Sequence, residues 1–186
     1  LKEKEIARLY YYDGLTKKQE EIRDLFIVGC MTGQRYSDYS RISMDNIKGD
    51  NIFILQKKTK NKAVVPVTDY VREIFAKYDG SLPDARCIQY FNKTIKLICR
   101  KAGLTDLITY EEDQGGQIVM VKKEKCDMVS SHTARRTFIT NTIRDKVPEN
   151  MIMKLTGHKS SACFSRYNRL TLEDNARSLA GTGYLS

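Results

Sequence analysis

The sequence predicts an α+β fold: a single domain, mostly α-helical, with a small antiparallel β-sheet. Three observations lead there. Apolar residues recur at helical spacing through most of the 186 residues. Two β-branched runs flank a lysine-rich turn. No internal repeat or low-complexity linker divides the chain.

The elements follow in order. Thr16-Lys17-Lys18-Gln19 reads as a capping box; Ile22, Leu25, Phe26 and Cys30 then give one apolar face, and Gly33 ends the helix. A short polar helix is expected around Ser37 to Ile42. Asn51 to Gln56 and Ala63 to Val67 read as a hairpin, with Pro66 placing the second strand short or at an edge. Its tip, Lys57 to Lys62, carries four lysines. Val71, Ile74, Phe75 and Tyr78 mark a helix stopped by Gly80 and Pro83; Ile88, Phe91, Ile95, Ile98 and Cys99 mark another, closed by Gly103. Residues 107 to 129 read as a second hairpin turning through Glu111 to Gly116. A helix is expected from Ser131 to Lys146, then one opened by Pro148 and ended by Gly157. Helices near Ser160 to Asn168 and Leu172 to Leu179 complete the chain.

A net charge of +9 points to a polyanionic partner, nucleic acid or an anionic membrane surface. No apolar run approaches the ~20 residues of a membrane helix, and Leu1-Lys2-Glu3-Lys4-Glu5 has no signal-peptide pattern. The missing initiator Met is what the C-terminal part of a longer protein would show. The five cysteines are odd in number, scattered and free of any Cys-x-x-Cys, as expected of reduced thiols in the cytoplasm, most of them in the core. A zinc set of Cys126, His132, His158 and Cys163 matches no common spacing, so no metal or cofactor is expected.

Both histidines sit in dense polar clusters. In Ser131-His132-Thr133-Ala134-Arg135-Arg136, His132 and Arg135 are three apart and share a helix face. An Arg and a His aimed one way can grip a phosphate and move a proton. In Leu155-Thr156-Gly157-His158, the His follows a helix-ending Gly and precedes a new helix start, where backbone N–H groups suit an anion. Arg35, in Thr32-Gly33-Gln34-Arg35, is placed similarly. Taken singly, each cluster has an ordinary reading as solvated or capping residues.

Jointly they do not. Thr-Gly-x-Arg, a lysine-bearing hairpin with Val65-Pro66-Val67, His132-x-x-Arg135, Gly157-His158 and a Tyr nine residues on resemble the tyrosine recombinase family over residues 16 to 170. The wording resembles most the integrases of mobile elements in Bacteroides-type bacteria. The resemblance implies a catalytic domain of that family over residues 1–186, with an N-terminal DNA-binding domain elsewhere. It implies Arg35, Lys58, His132, Arg135 and His158 as the catalytic set and Tyr167 as the nucleophile. Lys57 and Lys60 rival Lys58, Arg136 rivals Arg135, and Tyr36 and Tyr184 are local rivals to Tyr167. The partners implied are double-stranded DNA and, during recombination, a homo-tetramer, with no membrane and no small-molecule substrate.

The chemistry fits these residue types. A phosphodiester under attack gathers charge on its non-bridging oxygens; metal nucleases answer with clustered carboxylates, which this sequence lacks. Arg35, Arg135 and His158 can take that load. A tyrosine hydroxyl, with an ordinary pKa of ~10, needs a base, and His132 can serve. The leaving 5′ alkoxide needs an acid, and Lys58 can serve. A type IB topoisomerase shares this set and remains an alternative, as does a non-catalytic DNA-binding module.

Overall fold

Helix α2 (Lys17–Thr32) is the axis around which the chain is built. In the computed structural model, which describes residues 1–165 together with Tyr167 and Ala176, Ile22, Leu25, Phe26, Ile27 and Val28 of this helix are almost wholly buried. Its start is the anticipated capping box: Thr16 Oγ1 accepts from the Gln19 N–H, and Gln19 Oε1 accepts from the Thr16 N–H. Gly33 ends it in the left-handed region.

Ahead of it lies α1 (Glu3–Tyr10), which the sequence reading passed over. Only Ile6 and Leu9 of this charged segment enter the core, too few to stand out as a periodic face. After α2 come the four-residue α3 (Tyr36–Tyr39) and a three-stranded antiparallel sheet, β1 (Ile47–Lys48), β2 (Asn51–Leu55) and β3 (Lys62–Pro66), in the order β1-β2-β3. Ile52 pairs with Val65 and Ile54 with Ala63, all four facing the core. β3 is an edge strand, as Pro66 required. The turn between β2 and β3 is closed by Gln56, whose N–H donates to Asn61 O and whose carbonyl accepts from the Lys60 N–H, both at 2.9 Å.

Helices α4 (Asp69–Lys77) and α5 (Ile88–Lys101) pack on α2. The second hairpin, β4 (Leu107–Gln114) and β5 (Gln117–Glu124), corrects one expectation. Glu111, Glu112 and Asp113 lie in the strand rather than the turn, pairing with Met120, Val119 and Ile118. The reversal is carried by Gly115-Gly116 alone, at φ of 68° and 90°, values that two glycines adopt without strain and that match a two-residue hairpin. Leu107, Ile118 and Met120 stay exposed.

After a 3₁₀ turn (Lys125–Met128) come α6 (Ser131–Arg144), packed against α2, then α7 (Glu149–Thr156) and α8 (Ser161–Ser165). Ile139, Ile152 and Phe164 form a second small core against which Tyr167 packs. Apart from Ala176, the helix expected near 172–179 lies outside the described residues. Cys30, Cys99 and Cys126 are buried thiols and Cys87 is exposed. Among the described residues no helix is long and apolar enough to cross a membrane.

Candidate active site

Arg135 is the centre of the site. The start of α6 is fixed by Asn92, whose Oδ1 accepts from the Ser131 N–H at 2.8 Å. His132 then faces solvent in the first turn, and Arg135, one turn on, is 1% exposed. Its Nη1 donates to Gly33 O at 2.9 Å, just past the C-terminus of α2, where free carbonyls and the negative end of the helix dipole suit a guanidinium. Its Nη2 lies 3.1 Å from Nε2 of His158. Arg136 is exposed.

Gly157 ends α7 at φ +71° and releases His158 toward Arg135. Thr156 Oγ1 donates to Ile152 O at 2.7 Å, so toward Nδ1 of His158, also at 2.7 Å, it acts as acceptor. That assigns the proton of a neutral His158 to Nδ1, while Arg135 Nη2 lies within 3.3 Å of both ring nitrogens. Tyr167 completes the group: its ring lies 4.9 Å from that of His158, and the Arg135 guanidinium sits over it at 5.4 Å. Its N–H donates to Phe164 O at 2.8 Å, and the ring packs into the second core of its own chain.

Arg35 caps α3 from an extended backbone. Its Nη1 is 4.0 Å from Oδ2 of the buried Asp38. Asp38 Oδ1 also accepts from the Lys57 N–H at 2.8 Å, so one carboxylate joins the Arg35 segment to the lysine hairpin. The sequence reading did not single out Asp38, although Arg35 and Asp38 are spaced i,i+3 on a helix start. Lys58 is exposed on the turn, as are Lys57 and Lys60. The rival Tyr36 has a structural occupation: its hydroxyl donates to Arg86 O at 2.7 Å, its ring packs on Tyr39 and Phe91, and burial raises its pKa. Tyr184 lies outside the described residues.

The site is short of negative charge. Burial, then the neighbouring Arg35, lowers Arg135 to about 10. Burial, then Arg135 and Arg35, lowers His158 to about 4. Partial desolvation followed by Arg136, Arg135 and Arg35 holds His132 below the usual histidine value, which leaves it free to accept a proton at neutral pH. Among the described residues, Arg35 Nη1 and Arg135 Nε are buried donors that find no protein acceptor. Arg35 is near enough to disfavour the charge of Arg135, and two such guanidiniums with unused donors are suited to an anion carrying several oxygens. The Glu124, Cys126 and Asp127 cluster is already met by a cation: Arg100 bonds to both carboxylates at 2.9–3.2 Å.

The sequence matches the model of the phage integrase family over residues 1–173. The chain belongs to that family. No curated protein matches the sequence. Among solved structures it is similar to XerA recombinase, with a TM-score of 0.70 and 17% identity, covering 99% of this chain and 65% of that one. It is similar to the catalytic domain of bacteriophage HP1 integrase, with a TM-score of 0.58 and 17% identity over 95% of this chain and 92% of that one. It is also similar to the integrase of the transposon Tn1549 in complex with transposon right-end DNA, with a TM-score of 0.61 and 14% identity over 96% and 64%. The chain thus spans about two thirds of the XerA and Tn1549 chains and nearly all of the HP1 domain. At these identities the likeness shows the fold, that of a tyrosine recombinase catalytic domain.

Gly157 offers a direct check on this geometry in the integrase-family chain. A Cβ there would collide with the Gln56 amide, and the left-handed backbone itself costs an L-residue about 1–2 kcal/mol. Gly157→Ala is expected to lower Tm by roughly 2–8 °C. An unchanged melting curve would show that the His158 turn is not held as described.

Proposed function

We propose that the chain is the catalytic domain of a site-specific DNA recombinase that cuts and rejoins strands through a 3′-phosphotyrosyl link. The observation that carries this reading is the burial of Arg135 between Gly33 and His158 with its guanidinium over Tyr167. Segments far apart in sequence converge there on one cationic point with unused donors.

Tyr167 attacks the scissile phosphorus. Its phenolic proton passes to His132, the P–O5′ bond breaks, and the leaving 5′-oxygen takes a proton from Lys58. Arg35 and Arg135 hold the non-bridging oxygens. When Arg135 turns to phosphate, the His158 ring loses that donor and can bind the phosphate itself. In the second half-reaction a 5′-hydroxyl of the partner duplex attacks the phosphotyrosine, returning Tyr167 and exchanging the strand. The link conserves the bond energy, so ATP and metal are not needed.

The partner is double-stranded DNA and the working assembly a tetramer on two duplexes, as the family resemblance implies. The Tn1549 integrase, of the same fold, was captured on transposon-end DNA, which supports a mobile-element integrase acting in the cytoplasm; the Bacteroides-type assignment rests on motif wording alone. A preceding N-terminal domain completes the grip on DNA, consistent with the greater length of the XerA and Tn1549 chains. Residues 1–186 alone are therefore expected to bind duplex DNA weakly, with log K falling by ~0.9 per phosphate contact against log salt. Tight, salt-insensitive, sequence-specific binding by this segment would refute that division of labour.

A type IB topoisomerase would use the same chemistry. The deciding experiment incubates full-length protein, in excess EDTA, with a plasmid carrying two copies of the element-end site. Recombinant product is expected at the rate seen without chelator. Relaxation of supercoils without recombinants would favour the topoisomerase, and loss of activity restored by magnesium would reject the metal-free mechanism.

A further inference from the structure

Two glutamines, Gln34 and Gln56, are wholly buried beside the site. Their amides form one connected chain of hydrogen bonds. Thr59 Oγ1 donates to Gln56 Oε1 at 2.5 Å. Gln56 Nε2 donates to Gln34 Oε1 and to Thr156 O, each at 2.8 Å. Gln34 Nε2 donates to Leu155 O at 2.8 Å and to Thr32 O at 3.0 Å. Both amide donors of each residue are engaged, and so is each amide oxygen.

This chain joins three segments, two loops and the end of α7, and each adjoins a residue of the site. Gln34 adjoins Arg35, Thr59 adjoins Lys58, and Thr156 lies two residues before His158 while holding its Nδ1. Gln56 also closes the lysine turn through its own backbone, so its side chain fixes the pivot about which that turn would swing. A second tether, the Lys57 N–H on Asp38, holds the other side of the same turn. The side chains of Lys57, Lys58 and Lys60 are exposed.

We infer that the Gln34–Gln56 amide pair is a positioning element for strand cleavage: through Gln56 and Thr59 it sets the lysine hairpin against the Arg35 and His158 loops. This rests on the recombinase reading above. A purely structural role is the competing account, because Leu155 O and Thr156 O lie in the last turn of α7 and need donors. The two accounts differ in what they predict when the hairpin lysines are absent.

The test is a double-mutant cycle in the full-length protein, read as single-turnover cleavage of an element-end suicide duplex at saturating protein. Misplacing a catalytic group by about 1 Å costs up to ~10²-fold. Gln56→Met is therefore expected to slow cleavage by ~10–100-fold while duplex affinity changes by less than about 3-fold. In a background with Lys57, Lys58 and Lys60 all replaced by Ala, the same substitution is expected to cost less than ~3-fold, since there is then no hairpin lysine to misplace. An equal loss in both backgrounds, or no loss in the first, overturns the inference while leaving the recombinase reading intact. If the wild type forms no covalent adduct, that reading falls and the inference with it. Should Gln56→Met not fold, Thr59→Val serves the same cycle from the half-buried turn. It removes one bond of the chain, and its several-fold loss should likewise vanish in the lysine-free background.

Discussion

Arg135→Ala is expected to slow strand cleavage by about 10³–10⁵-fold, the range associated with removing an arginine that stabilises transferring phosphoryl charge. Arg135 is 1% exposed and holds two neighbours at once. Among the described residues its Nε finds no protein acceptor, which leaves that donor for a phosphate oxygen in the proposed mechanism. The fold should survive. Burial and the nearby Arg35 both disfavour its charge, so its loss relieves repulsion even as Gly33 O and His158 lose a donor. Arg135→Lys keeps the charge but not the planar fork and should recover less than about tenfold of the lost rate. Single-turnover cleavage, thermal melting and duplex affinity measured together check this. Cleavage within tenfold of wild type in a folded Ala variant would remove Arg135 from the centre of the mechanism.

Lys58→Ala is expected to slow cleavage of an ordinary phosphodiester by ~10²–10⁴-fold, the usual worth of a general acid. An alkoxide leaves poorly without a proton. A 5′-bridging phosphorothiolate leaves as a thiolate and needs none. Lys58→Ala should therefore cleave the sulfur substrate at near the wild-type rate. Arg35→Ala and Arg135→Ala should stay slow on both, because they act on the non-bridging oxygens. Lys57, Lys58 and Lys60 are all exposed on one turn, so the same comparison on each assigns the acid. Rescue of Lys60→Ala and not Lys58→Ala would move the role along the turn. Rescue of none would make the lysines phosphate anchors and turn attention to His132.

The parts of the fold legible in the sequence are those with local causes. Thr16, Gln19 and Gly33 bound α2 because capping is chemistry between near neighbours. β1 left no such trace: two residues, Ile47 and Lys48, become a strand only because β2 pairs with them. The second hairpin is legible but its turn is narrower than the sequence suggests, since an acidic run reads as loop while Gly115-Gly116 takes the whole reversal. At the site, the family resemblance implies Arg35, Lys58, His132, Arg135, His158 and Tyr167, and the structure sets Arg135, His158 and Tyr167 in mutual contact. The supports could not be named that way. Gln56 meets Thr156 across 100 positions and Asp38 meets Lys57 across 19; such partnerships exist only once the chain is folded.

The central claim is that Tyr167 is the nucleophile, and peptide mapping of the covalent complex tests it most directly. Full-length protein is trapped on an element-end suicide duplex, digested, and the DNA-linked peptide identified by mass spectrometry. The account predicts a single linkage, on Tyr167, that disappears in Tyr167→Phe while melting temperature and duplex affinity stay as in the wild type. A linkage on Tyr36 or Tyr184, or an adduct that persists in Tyr167→Phe, would contradict it.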